Sequence, residues 1–155
     1  MHVTNAVTPS PEQLAAFFAA PDDGPFVMIN LLKFREQAEY PDGSDAHLSG
    51  REAYTRYGIA VQAELAKVGG KSHYAGMVSG LMIGTVEDLW DMVALAEYPS
   101  LAAFQTMVMS ESYNAITHHR TAGLAGQLNI RTKPLYILPG TGRGTTKWWR
   151  GRGLS

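Results

Sequence analysis

The sequence predicts an α+β domain in which four strands form one sheet and helices cover one face of it. The chain has 155 residues, of which 45% are hydrophobic and 17% are charged, and this suits a single compact core. Its periodic segments follow one another as helix, strand, helix, strand, strand, helix and strand. After the first helix, that order is the split βαβ, ferredoxin-like pattern.

The first helix and the first strand have clear boundaries. Ser10-Pro11-Glu12-Gln13 forms a capping box with proline in the first turn, so residues 1–25 are interpreted as an N-terminal helical extension. An apolar run after Pro25 predicts a strand over residues 26–34. Inside this run, alternation places Asn30 on the same face as Met28 and Leu32. A buried amide there must be hydrogen-bonded.

A second capping box, Ser49-Gly50-Arg51-Glu52, begins a helix that runs to about Val68 and stops at Gly69-Gly70. Five apolar or aromatic residues recur along it at steps of three and four and predict its buried face: Tyr54, Tyr57, Val61, Leu65 and Val68. A second strand is predicted from Lys71 to about Thr85, bent at its glycines, and a third over residues 89–98.

The last helix is predicted to begin at Pro99-Ser100, to restart at a second cap, Ser110, and to continue through Leu124. A fourth strand follows over residues 127–138. The ferredoxin-like domain therefore spans residues 26–138. Residues 139–155 form a basic tail rich in Gly, Trp and Arg, which is too short and too polar for a core of its own.

The first strand is apolar on both faces, which predicts burial on both. Phe26, Met28 and Leu32 point one way, and Val27 and Ile29 point the other. The helices cover one face, and the chain has no further layer for the second. We therefore expect two copies to pack sheet against sheet as a homodimer.

Charge and cysteine usage exclude several classes of function. The chain has no cysteine, so disulfides, thiolate metal sites and cysteine nucleophiles are excluded. Residues 1–111 hold 14 acids and 6 bases, whereas residues 112–155 hold no acid and 7 bases. Only four bases lie in the tail, too few to make nucleic acid the expected partner. We expect the two oppositely charged ends to neutralise each other.

The motif search predicts no metal and no cofactor. The sequence contains no HExxH, no GxSxG and no phosphate-binding GxxxxGK, and Gly140-Thr141-Gly142 lacks the third glycine of a dinucleotide motif. The first dozen residues carry no Lys or Arg and no apolar stretch, and no apolar run could cross a bilayer. A cytoplasmic protein without membrane contact is the expectation.

An ordered set of short motifs resembles a widespread bacterial family of uncharacterised small proteins, a conserved domain of unknown function. The motifs are Asn30-Leu31-Leu32-Lys33-Phe34, the helix start at Ser49-Gly50 with Tyr54 and Tyr57-Gly58, Gly69-Gly70, Trp90-Asp91, Tyr98-Pro99-Ser100 with Phe104, and Tyr113 followed by Arg120-Thr121-Ala122-Gly123-Leu124. That family belongs to the dimeric α+β barrel superfamily. The resemblance covers roughly residues 26–138 and implies a ferredoxin-like subunit in a homodimer, but it lends no catalytic residues.

A cleft between the sheet and the helices is the predicted ligand site. Its expected lining is Asn30, Tyr54, Tyr57, His73, Trp90 and His118. Each residue also has a structural interpretation: Asn30 bonds to the backbone, Trp90 packs in the core, and the histidines are exposed. Asn30 and Trp90 resemble two members of the Asn–Trp–His arrangement of haem-degrading proteins in the superfamily. Ser100 stands where the histidine of that arrangement is expected.

The favoured function is an uncharacterised small-molecule-binding homodimer. One form of it is a cofactor-free enzyme acting by proton abstraction or oxygen chemistry on a small aromatic or acidic metabolite. A His or Tyr would then be the base and Asn30 would stabilise developing charge, but the sequence assigns no catalytic residue. The alternative is a non-enzymatic dimeric module for ligand sensing or protein interaction.

Overall fold

The computed structural model describes residues 1–135. The predicted tail, residues 139–155, and the predicted domain end at Leu138 lie outside these residues. The elements in chain order are α1 (Pro11–Ala19), β1 (Phe26–Phe34), α2 (Gly50–Lys67), β2 (Lys71–Met77), β3 (Met92–Tyr98), α3 (Leu101–Met109), α4 (Glu111–Asn114), α5 (Thr117–Gly123) and β4 (Leu124–Thr132).

The four strands form one antiparallel sheet in the order β2-β3-β1-β4. The predicted α+β, ferredoxin-like fold is therefore confirmed. In the sheet register, Asn30 lies opposite Ala94 on β3 and Asn129 on β4. β2 and β4 are the outer strands, and β3 separates β2 from β1.

The core lies between one face of the sheet and the helices. Phe26 and Met28 of β1 join Leu65 of α2, Tyr98 of β3 and Met107 of α3 in one buried cluster. Partly buried side chains from α1 to α4 complete it: Phe17, Val61, Phe104, Val108 and Tyr113. The alternation predicted for β1 is thus correct on its helix-facing side.

Serine caps begin the helices where the sequence predicts. Ser10 and Gln13 form a reciprocal capping box at α1. The Ser49 side chain accepts from the backbone N–H of Glu52 at the start of α2, and Ser110 caps α4. Such caps satisfy backbone donors that have no partner within the helix.

The predicted second and third strands are too long. β2 ends at Met77, opposite Met92, where β3 begins. Residues 78–91 form a connecting loop, in which Gly84 adopts a φ of +90°. The loop exposes Leu81, Met82 and Ile83 to solvent. Loose alternation of apolar residues therefore predicts a strand wrongly here, because these side chains have no neighbouring strand to pair with.

The bounds of the last helix and of the fourth strand also differ from the prediction. The helix breaks after Asn114, and α5 resumes at Thr117. β4 begins at Leu124, three residues before the predicted start, and its hydrogen bonds to β1 are interrupted by a bulge near Phe34. It ends at Thr132, because Pro134 has no N–H with which to extend the ladder.

The second face of the sheet carries an apolar strip that the described residues do not cover. Val27, Ile29 and Leu31 of β1 are only half-buried. Their cross-strand neighbours on this face include Leu95 on β3 and Ile130 on β4, and Ile130 is 42% exposed. Among residues 1–135, no helix combines the length and the apolar character needed to cross a membrane.

Candidate functional site

Asn30 is the centre of a polar network on the helix-facing side of the sheet. Its amide nitrogen donates to the backbone oxygen of Ala94 at 3.2 Å and, more weakly, to that of Met28 at 3.4 Å. Its side-chain oxygen accepts from Gln127 Nε2 at 2.7 Å and from Asn129 Nδ2. All four hydrogen-bonding positions of the amide are filled, so Asn30 positions Gln127 and Asn129 rather than facing a ligand directly.

Arg120 of α5 extends this network. Its Nη2 atom donates to the Gln127 side-chain oxygen and, at 2.7 Å, to the backbone oxygen of Val7. Gln127 is 8% exposed, so its side chain is fixed between Arg120 and Asn30. Within residues 1–135, no carboxylate pairs with Arg120, and its Nε and Nη1 atoms have no protein acceptor. The guanidinium is half-buried.

Two tyrosines of α2, Tyr54 and Tyr57, lie within reach of the Arg120 charge. Burial raises the pKa of Tyr54 to about 12, and the nearby Arg120 charge opposes that rise. Burial, first, and Tyr113, second, raise the pKa of Tyr57 well above its ordinary value, and the Tyr57 and Tyr113 hydroxyls lie 3.2 Å apart. The Tyr54 ring contacts Phe34, with 5.4 Å between centroids. In the described part of the chain, the Tyr54 hydroxyl has no hydrogen-bond partner.

Trp90 lies just before β3 and holds the N-terminal segment, residues 5–7, against β4. Its indole Nε1 donates to Asn5 Oδ1 at 2.8 Å. The backbone N–H of Ala6 donates to the backbone oxygen of Gln127 at 3.1 Å. The segment therefore touches the Asn30–Gln127–Arg120 network at its outer edge. Trp90 reaches this region through Asn5, not through a hydrogen bond to Asn30.

The two predicted histidines lie elsewhere. His73 is on the outer strand β2, where its Nε2 atom is 2.9 Å from a Glu97 carboxylate oxygen. His118 is exposed on the opposite side of α5 from this network, beside Tyr40 of the loop between β1 and α2. The structure thus brings Asn30, Tyr54 and Tyr57 to one region and places His73 and His118 outside it.

The comparisons with solved structures decide the family. A crystal structure of RPA0582, a protein of unknown function from Rhodopseudomonas palustris, is 36% identical, with a TM-score of 0.77. The alignment covers 86% of this chain and 100% of that one. A crystal structure of methylated RPA0582 protein is 37% identical over 90% of this chain and 100% of that one, with a TM-score of 0.78. This chain belongs to the RPA0582 family.

No protein-family model matches this chain, and no curated protein matches it. A dimeric ferredoxin-like protein of unknown function from Thermobifida fusca is 15% identical, with a TM-score of 0.47 over 70% of this chain and 90% of that one. At this identity and TM-score, the Thermobifida fusca protein is not assigned to the RPA0582 family.

Sequence reasoning missed Arg120, Gln127 and Asn129 as members of the region around Asn30. Arg120 lies in a motif already noted, but its helical position alone does not show which way it points. Gln127 and Asn129 lie two positions apart in the sequence, so on a strand their side chains point to the same face. That spacing is the signal that could have placed them together on β4, facing Asn30.

Proposed function

We propose that this chain binds a small aromatic or acidic metabolite between the sheet and the helices, at Arg120 and Tyr54. One observation carries the proposal: among the described residues, the half-buried Arg120 guanidinium has no carboxylate partner, and the buried Tyr54 hydroxyl, which has no hydrogen-bond partner, lies within reach of its charge. The Tyr54 backbone packs against Gly123 of α5, the helix that carries Arg120. A guanidinium binds carboxylates through charge-assisted hydrogen bonds, which are stronger than hydrogen bonds between neutral groups. Nη2 is already engaged twice, but Arg120 Nε and Nη1 have no acceptor among residues 1–135, and each can donate a separate hydrogen bond to an anion from its own edge of the guanidinium.

The aromatic neighbours favour a flat ligand. Phe34, Tyr54, Tyr57 and Tyr113 form a chain of ring contacts, with centroids between 5.4 and 6.4 Å apart. Rings in this arrangement attract another ring through edge and offset contacts. The proposed ligand therefore joins a small aromatic body to a carboxylate or to another delocalised anion.

Tyr54 would act here as a donor rather than as a base. With a pKa of about 12, its phenol remains protonated near neutral pH. A neutral phenol donates to a bound carboxylate or to an oxyanion that develops during proton abstraction. If the chain is an enzyme, Tyr54 and Arg120 would thus stabilise negative charge, and Asn30 would be a positioning residue that holds Gln127 against Arg120.

Binding can be tested with benzoate and with benzamide as its uncharged counterpart. We expect benzoate to shift the backbone NMR signals of Tyr54 and Arg120 saturably, and benzamide to shift them far less. Tyr54→Phe keeps the ring and removes the donor, so benzoate affinity should fall about fivefold to tenfold. Arg120→Gln should abolish the preference for benzoate. Equal shifts with both compounds would overturn the proposal.

We further propose that two copies of this chain pack through the uncovered face of the sheet. The apolar strip of Val27, Ile29 and Leu31 supports this, because a contiguous exposed apolar face on a folded chain usually marks an interface. Tyr74, 58% exposed on β2, extends the strip towards the apolar loop 78–91.

The assembly can be tested by size-exclusion chromatography with light scattering. We expect a dimer at micromolar concentration, and a folded monomer for Ile29→Asp, because a carboxylate cannot be buried unpaired at the centre of the strip. Thr55→Asp, on the exposed face of α2, is the matched control and should remain dimeric. A monomeric parent chain would refute the assembly while leaving the ligand proposal testable.

A further inference from the structure

A cavity separate from the Arg120–Tyr54 region opens between the β1–α2 loop and α5. Its volume is about 310 Å³, and its lining is Tyr40, Pro41, Asp42, Ser44, Asp45, His118 and His119. This volume lies at the lower end of the range for small-molecule sites. We propose that this cavity binds a small organic cation, such as a quaternary ammonium.

Tyr40 gives the cavity a fixed wall. The residue is 8% exposed and packs in a small core cluster with Ala38, Ala53 and Ala122. Its hydroxyl lies 2.7 Å from His119 Nδ1, so the two side chains share a hydrogen bond. Because both ends of Tyr40 are held, its ring keeps one orientation, and a ligand would not have to order it on binding.

Three aromatic rings meet at this wall. The Tyr40 centroid is 6.0 Å from that of His118 and 5.6 Å from that of His119, and the two imidazoles are 3.9 Å apart. Burial of the ring, first, and the His118 charge, second, lower the pKa of His119, which is therefore neutral near pH 7. Aromatic faces arranged around a small space attract ammonium groups through their quadrupoles.

The carboxylates supply the complementary charge. Asp45 is already neutralised, since Arg56 Nη1 lies 2.8 Å from its Oδ2 atom. Asp42 accepts from the backbone N–H of Ser44 at 2.9 Å, and hydrogen bonds from Ser44 hold the pKa of Asp42 below its ordinary value. Within residues 1–135, no Lys or Arg pairs with Asp42. The lining thus contains one ionised carboxylate that no lysine or arginine among residues 1–135 neutralises.

An organic cation fits this lining better than a metal ion. Among residues 1–135, no three His, Asp or Glu side chains are arranged to hold a metal. The rings and the single free carboxylate instead match the two features by which ammonium ligands are recognised, a π surface and one counter-charge. Pro41 adds an apolar contact for the methyl groups of such a ligand.

The test is an NMR titration of the full chain with choline at about pH 8. The control ligand is choline's uncharged isostere, in which carbon replaces the ammonium nitrogen. We expect choline alone to produce saturable shifts of the His118 and His119 ring signals. Asp42→Asn should weaken choline binding about fivefold to tenfold, because it removes the counter-charge and keeps the shape.

Glu12→Gln is the matched variant, since it removes an exposed carboxylate from α1 and should leave choline affinity unchanged. Equal shifts from the isostere, unchanged affinity in Asp42→Asn, or no saturable shift with choline would each overturn the proposal. Benzoate binding at Arg120 and Tyr54 is read from different signals. The result for one site therefore does not depend on the other.

Discussion

Trp90 Nε1 donates a hydrogen bond of 2.8 Å to Asn5 Oδ1 and so joins the start of β3 to the N-terminal segment. Asn5 also lies against Gly126, where an added Cβ would come within 2.6 Å of the Asn5 Cβ. This contact brings Ala6 and Val7 to Gln127 and Arg120. The N-terminal segment therefore contacts the Asn30–Gln127–Arg120 network next to the proposed aromatic-anion site.

Loss of the Asn5 side chain should release this segment. In Asn5→Ala, the indole donor of Trp90 loses its acceptor, and we expect hydrogen exchange at Ala6 to accelerate at least severalfold. The free energy of unfolding should fall by about 0.5–1.5 kcal/mol. Thr4→Ala is the control, because Thr4 is exposed, and its exchange pattern should match the parent. Unaltered exchange at Ala6 in Asn5→Ala would show that the backbone pairing alone holds the segment.

Removal of the Asn30 amide should destabilise the sheet. Asn30→Ala leaves Gln127 Nε2 without its acceptor inside a buried network, so we expect a loss of about 1–3 kcal/mol in urea unfolding. Asn129→Ala removes a single bond at an exposed position and should cost no more than about 0.5 kcal/mol. Similar losses for the two variants would contradict the central position of Asn30.

Two glycines should respond in opposite directions to alanine. At Gly123, an added Cβ would lie 2.4 Å from the Gly50 backbone oxygen and 2.8 Å from the Tyr54 nitrogen, where α2 crosses α5. Gly123→Ala should therefore lower the free energy of unfolding by about 1–3 kcal/mol. Gly58, inside α2, has open space around its Cβ position, so Gly58→Ala should raise it by about 0.5–1 kcal/mol. Thermal unfolding of both variants checks the pair.

Acidification should weaken the fold through His119. Burial of the ring lowers the pKa of His119 below its ordinary value of 6.5, so below that pH the unfolded chain binds more protons than the folded chain. The stability present above pH 6.5 is then lost progressively as the pH falls towards the folded pKa. Repulsion from His118 and Arg56 adds to the shift, and Asp45 opposes it.

The effect of His119 on stability can be isolated with His119→Gln, which retains a polar partner for Tyr40 but cannot titrate. Urea unfolding between about pH 5 and pH 8 should show a smaller decline for this variant than for the parent chain. Parallel declines would assign the acid sensitivity to other groups. The carboxylates of Glu64, Glu97 and Asp22, whose pKa values are lowered mainly by hydrogen bonds, titrate in a more acidic range.

The strand and helix order, the helix caps at Ser10, Ser49 and Ser110, and the face of β1 that carries Asn30 follow from the sequence by itself. Each depends on neighbours within a few residues, because side-chain alternation and capping are local. The strand end at Met77 did not follow, since a strand continues only where another strand pairs with it.

The side-chain contacts within the two candidate sites were decided by the tertiary structure. Asn30 and Gln127 are 97 residues apart in the chain, and Tyr40 and His119 are separated by 79. Their contacts depend on which strands are adjacent in the sheet and on how α5 lies against the β1–α2 loop. Strand adjacency and the packing of α5 cannot be predicted from local periodicity. Periodicity indicates which residues of one element are buried, but not which other element they pack against.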